Sequence, residues 1–177
     1  VCGVAFSYTG AKGVYYLPVR HRKGKEPQEG NIPVEIYKDF FQRLLKVSKK
    51  WVNHNIKFDA HFFNVDSISF GDTQLVDTKT AAFMLDTEKL THSLKPLCRD
   101  WLKLPMTEEK NLKVLLRSLK TKDYGCIAID TLGAYACEDV MGNMLLWRYI
   151  QAKFEEEPET RDLFWTTEVP LTSVLFD

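Results

Sequence analysis

The stretch WVNHNIKFDAHFFNV, Trp51 to Val65, changes character midway, and that change decides the fold class. Trp51 to Ile56 has the aromatic and branched residues of a short strand, and FDAHFFNV starts a helix. An apolar strand running into Asn-x-x-Phe-Asp puts Asp59 at the C-terminal edge of a sheet. Ligand and metal sites collect at that edge in α/β folds. A plainer role is open to the same residue, because Asp is favoured as the cap of a following helix. On this segment alone the capping role is the better supported of the two.

Reading upstream, VCGVAFSY (Val1 to Tyr8), TGAKG and GVYYLPV (Gly13 to Val19) spell strand, glycine turn and strand, a hairpin. RHRKGKEPQEGN is read as a polar, charged loop. Pro33 stands where a helix can begin. Tyr37, Phe40, Phe41, Leu44, Leu45 and Val47 then recur at helical spacing. Downstream, ISFGDTQLVDT suggests a strand ending near Asp77, and Thr80 to Leu85 a short helical run. Ser93 to Leu104 is a helix with Pro96 in its first turn. Met106 to Lys122 carries an apolar stripe (Leu112, Leu115, Leu116, Leu119) beside a basic one (Lys110, Lys113, Arg117, Lys120). Ile129 to Phe154 reads as one long helix, EEEPE breaks it, and the last twenty residues form a tail. Strands dominate the first third and helices the rest, with alternation between them. The expected class is α/β, a mixed sheet flanked by helices.

With 177 residues, 45% hydrophobic and 27% charged, the chain can bury one core. Lys+Arg and Asp+Glu both number 24, so net charge offers no argument for a nucleic-acid partner, and any such argument must be local. Cys2, Cys98, Cys126 and Cys137 form no CxxC pair and no metal spacing with histidine. Free thiols in a reducing intracellular compartment are expected. No apolar run reaches the ~20 residues that span a bilayer, and no membrane partner is expected.

YACED, Tyr135 to Asp139, is the second segment with chemistry in it. Tyr135 and Asp139 are four apart in the long helix and share a face. Alone, this too reads as an amphipathic helix with a half-buried Tyr and a solvated Asp. Glu138 points elsewhere. His54, beside a strand, reads as a packing residue. Asp86-Thr87-Glu88 has the spelling of an Asp-x-Glu motif but falls in a loop, where it carries no chemistry. The basic residues of RHRKGK and of the Lys110–Lys120 stripe could attract phosphates, although a solvated helix face explains the stripe.

Taken in order, these segments resemble the 3′→5′ proofreading exonuclease domain of family A DNA polymerases, one branch of the DEDDy exonucleases that also include RNase D-like enzymes. HNIKFD (His54 to Asp59) resembles the second motif and Tyr135-x3-Asp139 the third. LVDTKTAAFMLDT, HSLKPLCRDWL and DYGCIAIDTLGAYACED resemble the stretches between, and TTEVPLTSVLFD the lead into a polymerase domain. The resemblance covers nearly the whole chain. It implies an exonuclease domain over 1–154 and a linker with the start of the polymerase domain over 155–177.

It further implies an RNase H-like fold and a pair of divalent metal ions, Mg²⁺ or Mn²⁺. The partners implied are the 3′ end of single-stranded DNA and a polymerase domain in the same polypeptide. Asp139 would hold one metal together with carboxylates of the first motif, and Asp59 would help hold the second. Tyr135 would orient the attacking water. Asn55 and Phe58 match positions beside the terminal nucleotides, and Tyr124 an aromatic near the 3′ end. Hard cations of this kind prefer oxygen ligands, which suits carboxylates. A phenol with an ordinary pKa near 10 is a poor base, so Tyr135 suits positioning better than proton abstraction.

The first motif, an Asp-x-Glu on a central strand, would fall before Val1. Without it the 177 residues are expected to bind metal weakly and hydrolyse little, and the sheet to show a gap beside the strand leading to Asn55. Two further readings stand beside the enzyme: an inactive structural domain of the same fold, and an RNase D-like RNA exonuclease, against which the TEVPL tail argues.

Overall fold

The computed structural model describes residues 1–175; Phe176 and Asp177, the end of the TTEVPLTSVLFD segment, lie outside the described residues. The chain divides into two compact units. The first comprises residues 1–37 and 105–141, the second 38–104 and 142 onward.

In the first unit, β1 (Gly3–Phe6) and β2 (Tyr15–Pro18) form the expected antiparallel hairpin, with Gly3 opposite Pro18 and Phe6 opposite Tyr15. The charged stretch after it is more ordered than expected. β3 (Arg22–Lys23) and β4 (Glu26–Pro27) make a second, minimal hairpin. Gly24 has φ +65 at the first central position of its two-residue turn, the place where only glycine is free of a Cβ penalty. Asn31 fastens this loop. Its side chain accepts the His21 amide at 2.9 Å and donates to the carbonyls of His21 at 2.7 Å and Gln28 at 2.9 Å.

Helix α5 (Glu108–Ser118) and the start of α6 (Ile129–Glu156) complete this unit. Leu112, Ile127 and Leu132 are buried together, with Leu115, Leu116 and Tyr135 against them. Tyr16 of β2 lies on Gly133 of α6, where a Cβ would stand 3.1 Å from the Tyr16 ring. Its hydroxyl donates to His21 Nε2 at 2.7 Å, and His21 Nδ1–H in turn donates to the Ile127 carbonyl at 2.9 Å.

The second unit takes most of α1 (Val34–Val47), then β5 (Lys50–Asn53), α2 (Ile56–Val65), β6 (Gln74–Asp77), α3 (Thr78–Leu85), α4 (Leu94–Leu102) and the rest of α6. β5 and β6 are parallel, with Asn53 opposite Asp77, so both strands end at one edge. Phe41, Trp51, Phe63 and Phe70 pack edge-to-face with centroids 5.1–6.1 Å apart. A second cluster joins Val76, Ala81, Ala82 and Leu97 to Leu146, Ile150 and Phe154 of α6.

The expected tail is helical. α7 (Pro158–Leu163), a π-helical stretch over Phe164–Glu168 and α8 (Val169–Val174) follow the break. α8 packs on β6, and Phe164 and Val169 are 1% and 2% exposed within the same core. Spacing hid this, because the segment is too short and too interrupted by prolines to show a helical period.

The architecture is mixed α/β with small sheets. Among the described residues the strands form three separate two-stranded ladders, not one sheet. The strand read over Trp51–Ile56 also stops early, at Asn53, because the amides of the next turn are taken elsewhere.

Candidate active site

The edge where β5 and β6 end is organised by Asp77, which is 5% exposed. Its carboxylate accepts the backbone N–H of Asn55 at 2.8 Å and of Ile56 at 3.1 Å. It also accepts the Lys79 amide at 2.8 Å, capping α3. One buried carboxylate therefore serves two helix starts that would otherwise leave N–H groups orphaned. Asn55 takes the left-handed conformation (φ 60, ψ 49), which turns the chain from strand into helix; Asn tolerates this better than most residues.

Asp59 is consequently not the cap that its segment suggested. It sits one turn inside α2, half-buried, with Oδ2 accepting from Asn53 Nδ2 at 2.8 Å. An anion in a first turn also gains from the helix dipole. Asn53 is the residue sequence reasoning missed here: it ends β5 and aims Asp59. Phe58 is 61% exposed, with its ring edge-to-face with Phe62 at 5.0 Å. Asn55 is exposed beside it.

His54 is held through Nδ1 by Thr78. Thr78 donates its hydroxyl proton to Asn143 Oδ1 at 2.6 Å, which leaves Thr78 Oγ1 to accept the His54 Nδ1–H at 3.0 Å. Asp86 to Glu88 lie in the turn after α3, as read.

Tyr124, Tyr135 and Asp139 belong to the first unit. The Tyr135 hydroxyl hydrogen-bonds Asp139 across one turn of α6. Burial, then the charge of Asp139, then that hydrogen bond push the Tyr135 phenol well above its ordinary range, with Glu109 and Tyr124 adding to the effect. The side chain is thus a proton donor throughout the neutral range. Glu138 points away from this pair, as read, and does something no local pattern announces. Its carboxylate accepts the amides of Thr107 at 2.8 Å and Glu108 at 3.1 Å, holding the start of α5 against α6. Tyr124 is presented by a 3₁₀ turn (Tyr124–Cys126). Asp123 caps that turn through Gly125 N–H at 2.9 Å and is itself ion-paired with Arg22.

The structure thus collects the predicted residues in two groups: Asn55, Phe58 and Asp59 on the second unit, and Tyr124, Tyr135 and Asp139 on the first. The oxygen donors Asp59 and Asp139 suit a hard divalent cation in kind. They do not suffice in number. Among the described residues no group of three or more His, Cys, Asp or Glu is placed to hold a metal.

The family described as 3′-5′ exonuclease, that of DNA polymerase A, matches residues 2–155. The chain belongs to this exonuclease family. Its mixed helices and small sheets accord with an exonuclease domain of that family. Among curated proteins, the chain is 29% identical over 164 residues to DNA polymerase I of Synechocystis sp., covering 92% of the chain and 16% of that protein. It is 28% identical over 164 residues to DNA polymerase I of Chloroflexus aurantiacus, covering 93% and 17%. The DNA polymerase of Escherichia phage T5 is 23% identical over 181 residues, covering 95% of the chain and 20% of the polymerase. The exonuclease chain therefore spans a fifth or less of the length of these relatives. Among the described residues no helix is long and apolar enough to cross a membrane.

Proposed function

We propose that this exonuclease domain removes nucleotides from the 3′ end of single-stranded DNA, proofreading for a polymerase domain carried in the same polypeptide. The observation that carries the proposal is the Tyr135–Asp139 hydrogen bond. It joins a phenol kept protonated to a carboxylate on one helix face, within the residues that the family match spans.

In this reading Asp139 would hold one divalent cation, Mg²⁺ or Mn²⁺, and Asp59 would help hold a second. Bound metal supplies charge neutralisation at the phosphate and an activated water. The chain's own groups do the rest. Asn53 keeps Asp59 in one rotamer by donating to Oδ2. Tyr135 hydrogen-bonds Asp139 and, remaining protonated, orients water without accepting its proton. Phe58, exposed on α2, offers a ring face to a terminal base, Asn55 a side-chain amide beside it, and Tyr124 a second aromatic surface near the 3′ end. We read the fold as RNase H-like, residues 1–154 as the exonuclease domain, and residues from Glu155 onward as the passage to the polymerase domain.

The test is loss of label from a 3′-labelled single strand incubated with the full-length polypeptide, in Mg²⁺ and in chelator. Metal-dependent loss is expected, along with its abolition in Asp139→Ala. Absence of metal-dependent loss would point to an inactive structural domain. Faster loss from an RNA strand would point to an RNase D-like activity.

A further inference from the structure

The C-terminal end of α5 opens onto a groove of about 610 Å³, lined by Lys113, Leu116, Arg117, Lys120, Lys122 and Tyr124. Lys113 is satisfied by Glu109 at 2.6 Å. Among the described residues Arg117, Lys120 and Lys122 are in no ion pair, and all three are exposed. Arg117 has a local explanation, since a cation in the last turn answers the negative end of the helix. Lys120 and Lys122 lie beyond the helix and have none. Like charges gathered along one concave wall raise the local potential and draw an anion to it.

The backbone brings them together. Lys120 is left-handed (φ 49), the position after a helix end where glycine is usual. Its N–H bonds the Arg117 carbonyl and the Thr121 N–H the Leu116 carbonyl, both at 3.1 Å. This closure uses the Arg117 and Leu116 carbonyls, and Lys122 and Tyr124 line the same groove as Arg117. Tyr124, 45% exposed, lines the groove and adds to the rise of the Tyr135 phenol. Cations spaced along a groove with an aromatic face beside them are the pairing that holds a single strand: phosphates on the cations, a base on the ring.

We propose that this groove holds the backbone of single-stranded DNA, with Arg117, Lys120 and Lys122 against successive phosphates and Tyr124 under a base. The inference rests on the strand substrate of the proposed function but concerns the strand behind the terminal bond, not the hydrolytic residues. The groove gives a chain of zero net charge a local basic surface that its composition conceals.

The test is binding of a fluorescein-labelled oligothymidylate, read by anisotropy in chelator across a salt series, for the parent protein and an Arg117→Gln, Lys120→Gln, Lys122→Gln variant. Each phosphate contact on a single strand contributes about 0.7 to the slope of log K against log salt. The variant should therefore lose about 2 from that slope and bind roughly tenfold more weakly at low salt. A companion carrying Arg117→Lys, Lys120→Arg and Lys122→Arg should keep the parent slope, and an unchanged thermal midpoint shows that both fold. An unchanged slope and affinity in the glutamine variant overturns the inference. Because the measurement is made without metal, it stands apart from hydrolysis: a groove effect without hydrolysis sinks the proposed function alone, and hydrolysis without a groove effect sinks this inference alone.

Discussion

The Asp77 carboxylate accepts the Asn55 amide at 2.8 Å from the neighbouring strand end, so the turn that carries the candidate motif is held by a residue outside it. Asp77→Ala removes the acceptor for three backbone amides, those of Asn55, Ile56 and Lys79. At about 1 kcal/mol per lost cap, and more for amides left buried, the loss should be about 2–4 kcal/mol. Asp77→Asn, which retains one carbonyl oxygen, should lose less. Urea unfolding of the two variants checks the order.

Tyr135 and Tyr16 have the phenols pushed furthest up, burial being the first cause in both. A raised folded pKa means that the unfolded chain releases protons first. The stability from these groups is present below the unfolded value near 10 and is lost as pH climbs beyond it. Of the seven tyrosines, these two should ionise only as the fold opens, seen as a late step in a phenolate absorbance titration. Tyr135→Phe should remove one late tyrosine. It should also lower the rate of strand hydrolysis by about tenfold to a hundredfold, with little change in KM, as expected when a positioning contact is lost. The rate profile between neutral pH and pH 9 should keep its shape, since the phenol does not titrate there.

Much of this was legible and some was not, for one physical reason. The hairpin, α1, the β5-to-α2 switch and the long α6 each bury one face, and burial leaves a period in the sequence. Asp77 caps Asn55 over a separation of 22 residues, and Glu138 caps Thr107 over 31. No period records such contacts. Motif order singled out Asp59, Tyr135 and Asp139 as candidates; the contacts of Asn53, Asp77 and Glu138 needed coordinates.

Glu138→Ala should loosen the start of α5 by about 1–2 kcal/mol, through the Thr107 and Glu108 amides it leaves open. Glu138→Gln should recover part of this. Hydrogen exchange at the first turn of α5 should quicken while exchange in β5 and β6 stays unchanged.

Gly3→Ala should cost more than an exposed glycine replacement, because the new Cβ would meet the Tyr16 hydroxyl, which is held by His21. Gly133→Ala should also destabilise, despite alanine's advantage of about 1 kcal/mol in a helix, since its Cβ would stand 3.1 Å from the Tyr16 ring. Thermal melts of both variants, alone and with Tyr16→Phe, check the attribution. Removing the hydroxyl should leave both clashes in place, since the Gly3 Cβ would also meet the ring carbons Cζ and Cε2 of Tyr16, so both Gly→Ala costs should persist in the Tyr16→Phe background.

The helices beyond Glu156 bear on where this domain can be cut. The family match stops at residue 155, yet Phe164 and Val169 lie in one core with Leu146, Ile150 and Phe154. A chain severed at the match boundary would expose that core to water, forfeiting about 2–3 kcal/mol for Phe164 alone. The workable excision point for an independent fragment lies past Val174, so that α8 keeps its place on β6 and Val169 stays in the core.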